Sequence, residues 1–336
     1  LNLSNPIRER QNLSEIPFRK VWACQFGAVW ACLGQTGGEM GMIYFNKTNF
    51  DEAIMNNVII ATDSSAYLPK AYVDQYQIPV IPLTVNWEGK SYLDGVDIQA
   101  EEFYQQLAQS KSMATTSQAT VGQFLELFGK LLDAGKQVFY LSISSGLSAT
   151  IDSAVQAKVE MGNPENLIVM DSKLVSMALG LMVLEVARAA EKGASLKECQ
   201  ALAQDAHGRI GVYFTVDTLE YLHRGGRINS AKRLFGSALN LKPIMEIRDG
   251  KIELVESVIS RKKALNRMVD LIEKGVDGRS PVRLAPFHAL AFDDMVAMEN
   301  LAKERLNPIE IIRSEVSPVI GSHVGPGTVS MAYMVG

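Results

Sequence analysis

The sequence predicts an α/β protein of two domains, the first built on a mostly parallel sheet with helices on both faces, the second of α+β type. Three observations carry that prediction. Strand-like and helix-like signals alternate regularly from Val58 to about His207, the pattern of parallel strands joined by crossover helices. The style changes at Gly208, beyond which two apolar-rich runs meet at Asp249-Gly250, a strong hairpin signal. The 336 residues also exceed what one hydrophobic core usually organises, about 250 to 300. We therefore place one domain over residues 56–205 and another over 206–336, and set residues 1–55 apart as an extension outside the fold.

That extension carries Arg8, Arg10, Arg19 and Lys20 and then reads VWACQFGAVWACL from Val21 to Leu33. A basic stretch before a short apolar run superficially matches a secretory leader. Gln25 and Gly27 interrupt the run, however, and the following GQTGGEMG is a poor cleavage site. The reading we adopt is an upstream translation start, with Met40, Met42 or Met55 as the beginning of the folded protein.

From there each element has its own reason. Val58–Thr62 is a buried strand ending at Asp63-Ser64-Ser65, Pro69–Tyr76 a short helix opened by proline, and Ile78–Val85 a second strand. Asp97 is expected to cap a helix through Ser110, and a loop follows at Ala114–Gln118. Thr120 and Gln123 have capping-box spacing, and Val121, Phe124, Leu125, Phe128, Leu131 and Leu132 recur with helical period. Val138–Ile143, with only Ser142 polar, reads as the central strand, and Ser144-Ser145-Gly146 as its passage into a helix. Leu167–Met170 is another strand, followed by helices to Lys192 and from Leu196 to about His207. In the second domain we expect strands at Val212–Val216, Ile244–Ile247, Ile252–Val255, Val282–Leu290 and Ile309–Arg313. Helices are expected at Ser260–Glu273 and Asp293–Leu306, and the chain closes on a glycine-punctuated loop, Gly321–Gly327.

Composition narrows the function. A formal charge of -4, with no basic stripe interleaved with aromatics, disfavours nucleic acid. Cys24, Cys32 and Cys199 form no close pair, so neither a disulfide framework nor a zinc site is signalled, and a reducing cytoplasm fits. No apolar run reaches the roughly 18 to 20 residues of a membrane span. There is no phosphate-binding loop ending in Gly-Lys-Ser/Thr and no G-x-G-x-x-G after a strand.

The candidate site residues are hydroxyls, a cation and an imidazole. Ser144, Ser145 and Gly146 stand where backbone N–H groups at a strand-to-helix turn favour an anion, although serines there also simply cap helices. Thr116 and Ser117 precede a second helix N-terminus. Arg224 and Arg227 flank Gly225-Gly226, and a guanidinium on such a turn suits a carboxylate or phosphate. His323 sits among glycines with little space to be a core residue. A serine hydrolase is the alternative, but the G-x-S-x-G elbow is missing and no histidine is paired to a serine locally. Asp63 and Asp171, each followed by serine, read as turn and cap chemistry rather than acid–base chemistry.

Five blocks in order resemble the DegV family of fatty-acid-binding proteins. They are Thr62-Asp63-Ser64-Ser65 with Leu68-Pro69, Thr115–Gln118, Ser144–Ser148, Gly225–Ile228 and Gly321–Gly327. The resemblance runs from Val58 to the end. It departs at Ala149, where the family has glycine, at Ala119, where it has proline, and at Asn229, where it has serine. It implies a two-domain DegV-like fold that buries one long-chain fatty acid as its ligand, with the carboxylate between the domains, and no other cofactor and no metal. It also implies a carrier without activity of its own, which presents the acid to a separate ATP-dependent fatty-acid kinase for acyl-phosphate formation in phospholipid synthesis. By motif, Thr116 with Ser117, and Ser144 or Ser145, would bond the headgroup. Gly146 would add an N–H, Arg227 the charge, and His323 a position beside the carboxyl group. A serine-rich-cleft hydrolase or transferase acting on a phosphorylated or acylated small molecule is the competing function.

Overall fold

The computed structural model describes the backbone of Trp22–Phe26, Val29–Thr36 and Glu39–Asn46, together with residues 57–110, 112–234 and 241–336. Two compact units emerge, Leu1–Asn56 and Asn57–Gly336. In the first, strands β1 (Trp22–Phe26), β2 (Val29–Thr36) and β3 (Glu39–Asn46) form an antiparallel meander in which Phe26 pairs with Val29 and Thr36 with Glu39.

The second unit starts with β4 (Val58–Asp63), α1 (Lys70–Gln75), β5 (Val80–Ile81), β6 (Thr84–Trp87), β7 (Lys90–Leu93), α2 (Ala100–Gln109), β8 (Thr115–Ser117) and α3 (Val121–Asp133). It continues with β9 (Gln137–Ser142), α4 (Thr150–Glu160), β10 (Leu167–Asp171), α5 (Ser176–Glu191) and α6 (Leu196–Ala206). A four-stranded parallel sheet, ordered β10-β9-β4-β5, puts the predicted central run in an interior position, and Val138 to Leu141 are fully buried. Helices α3 and α4 pack together, as do α5 and α6, and both pairs contact this sheet. The capping box forms as its spacing predicts: Thr120 Oγ1 accepts from Gln123 N, and the Gln123 side chain accepts from Thr120 N at 2.9 Å.

Several local expectations need correction. Ile78–Val85 is not one strand but two short ones, β5 and β6, because Pro82 lies between them and the chain changes sheet there. Asp97 does not cap α2; Gln99 holds that position, and the Asp97 carboxylate accepts from Leu93 N at 2.8 Å, closing the preceding turn. Thr115–Ser117 is not a loop but the strand β8, paired with β6. Ser144-Ser145-Gly146 does not open a helix, since α4 starts only at Thr150.

The chain then forms β11 (Ile210–Thr215), α7 (Glu220–Arg224), β12 (Lys242–Arg248), β13 (Lys251–Val258), α8 (Arg261–Val276), β14 (Val282–His288) and α9 (Phe292–Leu306). It ends with β15 (Glu310–Ile311), β16 (Ser314–Glu315), α10 (Pro318–Val324) and β17 (Val329–Val335). The hairpin at Asp249-Gly250 is present, with both turn residues at positive φ, 50° and 78°. The expected terminal loop is largely the helix α10, capped by Ser317 and opened by Pro318, and β17 follows it. No strand was expected there, yet β17 lies between β11 and β14 in the larger sheet, ordered β13-β12-β11-β17-β14-β15.

Helix α5 joins the two sheets. Twelve of its sixteen residues are buried, because it contacts β4 and β9 on one side and β11, β14 and β17 on the other. The opposite face of the larger sheet is closed by α8 and α9. Alternation along β17 records this: Val329, Met331, Tyr333 and Val335 join the α8–α9 core, whereas Ala332 and Met334 join the core around α5.

Candidate functional site

Between the sheets lies a cavity of about 490 Å³. One part of its wall is polar. Thr116 and Ser117 come from β8, Arg227 from the turn after α7, His323 from the last turn of α10, and Ser148 from the approach to α4. The rest is mostly apolar: Val212 and Phe214 of β11, Ile247 and Ile252 of the hairpin, Phe287 of β14, and Val319, Ile320 and Val324 on α10.

Sequence and local structure explain how the polar groups are held. His323 Nε2 lies 2.7 Å from Thr116 Oγ1, which bonds α10 to β8. Its ring packs on Gly225, where a Cβ would collide with Nδ1, so glycine is required for the approach. His323 Nδ1 is buried without a hydrogen-bond partner. Burial, and then the charge of Arg227, push the imidazole down to about 4. The Arg227 guanidinium is half-buried and donates from Nε to Leu147 O at 3.1 Å and from Nη1 to Gly225 O at 2.7 Å. No carboxylate among the described residues forms an ion pair with it. A cation and a neutral imidazole therefore converge on one cavity without an anion. Ser117 is more exposed, and its hydroxyl accepts from Asn86 Nδ2 at 2.8 Å.

Ser144, Ser145 and Gly146 stand outside the cavity lining. Ser144 Oγ donates to Gly250 O at 2.7 Å, a buried bond across 106 residues, and accepts from Gly146 N at 3.1 Å. The amides expected to bind an anion already have partners: Ser144 N donates to Leu174 O, Ser145 N to Asp171 Oδ1 and Gly146 N to Ser144 Oγ. The exposed Ser145 hydroxyl receives Lys173 Nζ at 2.8 Å, and Asp171 lies 2.7 Å from the same ammonium. Arg224 points outward and pairs with Glu220 at 2.5 Å. Asp63 is a cap, as read from the sequence: fully buried, it accepts from Ser65, from Ile143 N at 2.8 Å and from Tyr140 OH at 3.2 Å. Burial raises its pKa against those bonds.

The family model described as an uncharacterised protein of the DegV family matches residues 57–335. The chain belongs to the DegV family. A DegV domain-containing protein of Caldanaerobacter subterraneus is 34% identical over 280 residues, covering 83% of this chain and 99% of that protein. Protein DegV of Bacillus subtilis is 30% identical over 282 residues, 82% of this chain and 99% of its own. Among solved structures, a fatty-acid-binding DegV family protein from Thermus thermophilus superposes with a TM-score of 0.79 at 31% identity, covering 83% of this chain and 99% of its own. The fatty-acid-binding DegV of Bacillus subtilis does so with a TM-score of 0.76 at 29% identity, covering 83% and 99%. The mixed α/β fold with a parallel sheet is thus that of DegV structures.

Within the DegV fold, Ser148 is a cavity-lining hydroxyl that the sequence reading did not select, as are Ser176, Thr328 and Ser330. The Ser148 hydroxyl lies 2.9 Å from Thr150 Oγ1. It stands in the same motif block as Ser144 and Ser145, four and three positions on, and only the turn geometry separates their directions. Among the described residues no group of three or more His, Cys, Asp or Glu side chains is arranged to hold a metal ion. None of the helices described is long and apolar enough to cross a membrane.

Proposed function

We propose that this DegV-family chain binds one long-chain fatty acid in the cavity between its sheets. The carboxylate meets Thr116, Ser117, Ser148, Arg227 and His323, and the acyl chain lies against the apolar wall. The observation that carries this reading is the convergence of Arg227 and His323, with no carboxylate among the described residues to neutralise them, on an otherwise mostly apolar cavity of about 490 Å³. That volume falls in the ordinary range for small-molecule sites, about 300 to 1,000 Å³. Burying each methylene is worth roughly 0.8 kcal/mol, so about fourteen supply about 11 kcal/mol before association costs. The carboxylate end needs several donors, because an unpaired buried charge is costly. Fatty-acid binding by DegV proteins of Thermus thermophilus and Bacillus subtilis supports the assignment.

The reading extends to a cytoplasmic carrier with no chemistry of its own, which presents the carboxyl group to a separate ATP-dependent fatty-acid kinase. The missing phosphate-binding loop supports it, as does the serine geometry. Ser144 Oγ donates to a carbonyl, Ser145 meets an ammonium, and His323 faces a threonine with its second nitrogen unpartnered, so these residues assemble no nucleophile–base–acid relay. Denaturing extraction of the purified chain followed by mass spectrometry tests the binding: one fatty acid per chain is expected, and its absence, with no uptake of added acid, refutes it. Acyl phosphate formed with ATP and Mg²⁺ by the chain alone would refute the carrier role.

A further inference from the structure

We infer that the β12–β13 hairpin is the door of the cavity and that Ser144 is its latch, a positioning residue for ligand exchange; the inference rests on the fatty-acid reading above. An acyl chain packed along the wall leaves more readily when part of that wall moves away. The hairpin supplies wall through Ile247 and Ile252, which face each other across its strands. It is also the outermost pair of its sheet, since β13 has a neighbour on one side only.

Its tip touches the parallel-sheet half at Gly250. Ser144 Oγ donates to Gly250 O at 2.7 Å, and there Gly146 and Gly250 lie backbone against backbone. A Cβ on Gly146 would strike Gly250 O, and a Cβ on Gly250 would strike Ser144 Oγ, so the seam closes only with glycine at both places. The stems of Lys251 and Lys173 cover it, 3.0 and 3.1 Å from those two Cβ positions. The hairpin's bond to the short helix at Asn229–Leu234, Leu254 N to Ser230 Oγ at 2.7 Å, stays within its own half of the fold. At the tip the contact is polar, with one side-chain hydrogen bond among the described residues and two glycines, while the apolar packing of the hairpin lies behind it at Ile247 and Ile252. Ser144 does not line the cavity and its hydroxyl donates to the hairpin, so Ser144→Ala removes a bond to the hairpin rather than to the ligand.

A door and a ligand-binding hydroxyl have different kinetic signatures. Loosening a door speeds entry and exit together and leaves the equilibrium little changed, whereas losing a headgroup contact speeds exit alone. The experiment is stopped-flow exchange of a fluorescent palmitic acid on the full chain, its Ser144→Ala variant and its Gly146→Ala variant. Gly146→Ala pushes the hairpin away with the Ser144 hydroxyl still in place, so it keeps the test decisive should Ser144→Ala fold poorly. Association and dissociation are both expected to quicken, roughly 2- to 10-fold for the loss of one hydrogen bond. Unchanged rates in both variants, or a faster dissociation alone with a proportionate loss of affinity, would overturn the latch. If the unmodified chain takes up no probe, the binding reading falls and the latch with it; uptake with unchanged variant rates overturns the latch only.

Discussion

Replacing His323 by glutamine isolates one proton's contribution to stability. In the empty site the imidazole is pushed down to about 4, against an ordinary value of 6.5, by burial and by Arg227. The folded protein therefore prefers neutral histidine. Its contribution is fully present above pH 6.5 and is lost as pH falls toward 4, because the unfolded chain takes up the proton first. From those two values the loss is about 2 kcal/mol by pH 5 and about 3 kcal/mol by pH 4. Asp94 acts in the same interval with the opposite sign. Burial raises its carboxyl to about 7 from 3.8, so its contribution is fully present below 3.8 and is lost as pH rises to 7. A single melting curve against pH mixes the two, and the difference between unmodified chain and His323→Gln removes the shared term. Urea unfolding of ligand-free protein, followed by circular dichroism at pH 7.5 and pH 5.0, is the assay. The unmodified chain should lose about 2 kcal/mol more than the variant between those two conditions. A difference that does not change with pH would refute the view that the cavity holds His323 neutral.

Other expectations concern the headgroup and the domain boundary. Arg227→Ala should weaken fatty-acid affinity by about 3 to 5 kcal/mol and Thr116→Ala by about 1 to 3 kcal/mol, measured by titration calorimetry; equal losses would contradict the separate roles of charge and hydroxyl. Gly225→Ala should displace the His323 ring, since its Cβ runs into Nδ1. The His323 side-chain NMR signals should shift while the circular dichroism spectrum stays that of the fold. A chain begun at Met55 should fold and bind lipid, because the stretch matching the family is almost the full length of a relative, 280 residues and 99% of it. Insolubility of that chain would count against residues 1–55 lying outside the fold.

What the sequence made legible was local chemistry. The buried run at Val138, the capping box at Thr120 and the hairpin at Asp249-Gly250 are each written in a few neighbouring residues, and each forms. β17 was illegible for a physical reason. VSMAYMV is buried on both faces and shows no polar alternation, and the glycines before it suggested that order had ended. Helix α10 leaves a trace in Ser317-Pro318, its cap and first position, but Gly321 and Gly325 argue for a loop. The choice among Ser144, Ser145 and Ser148 was not decidable locally. What turns Ser144 away from the cavity wall is the Gly250 carbonyl, 106 residues away, and no short motif encodes that partner.

The middle position of β17 also bears on how the protein is made. Ile210 of β11 pairs with Met334 and Val282 of β14 with Val335, so β11 and β14 cannot be joined into one sheet until residues 329–335 have left the ribosome. The parallel sheet, whose four strands all precede Leu174, has no such wait. Synthesis from the N-terminus thus favours an early parallel sheet, with α5 offering one apolar flank to a surface not yet assembled. Pairing across such long separations is intrinsically slow. During that interval the nascent chain exposes the lining that later receives the lipid, and the half-built protein is the species a chaperone would meet.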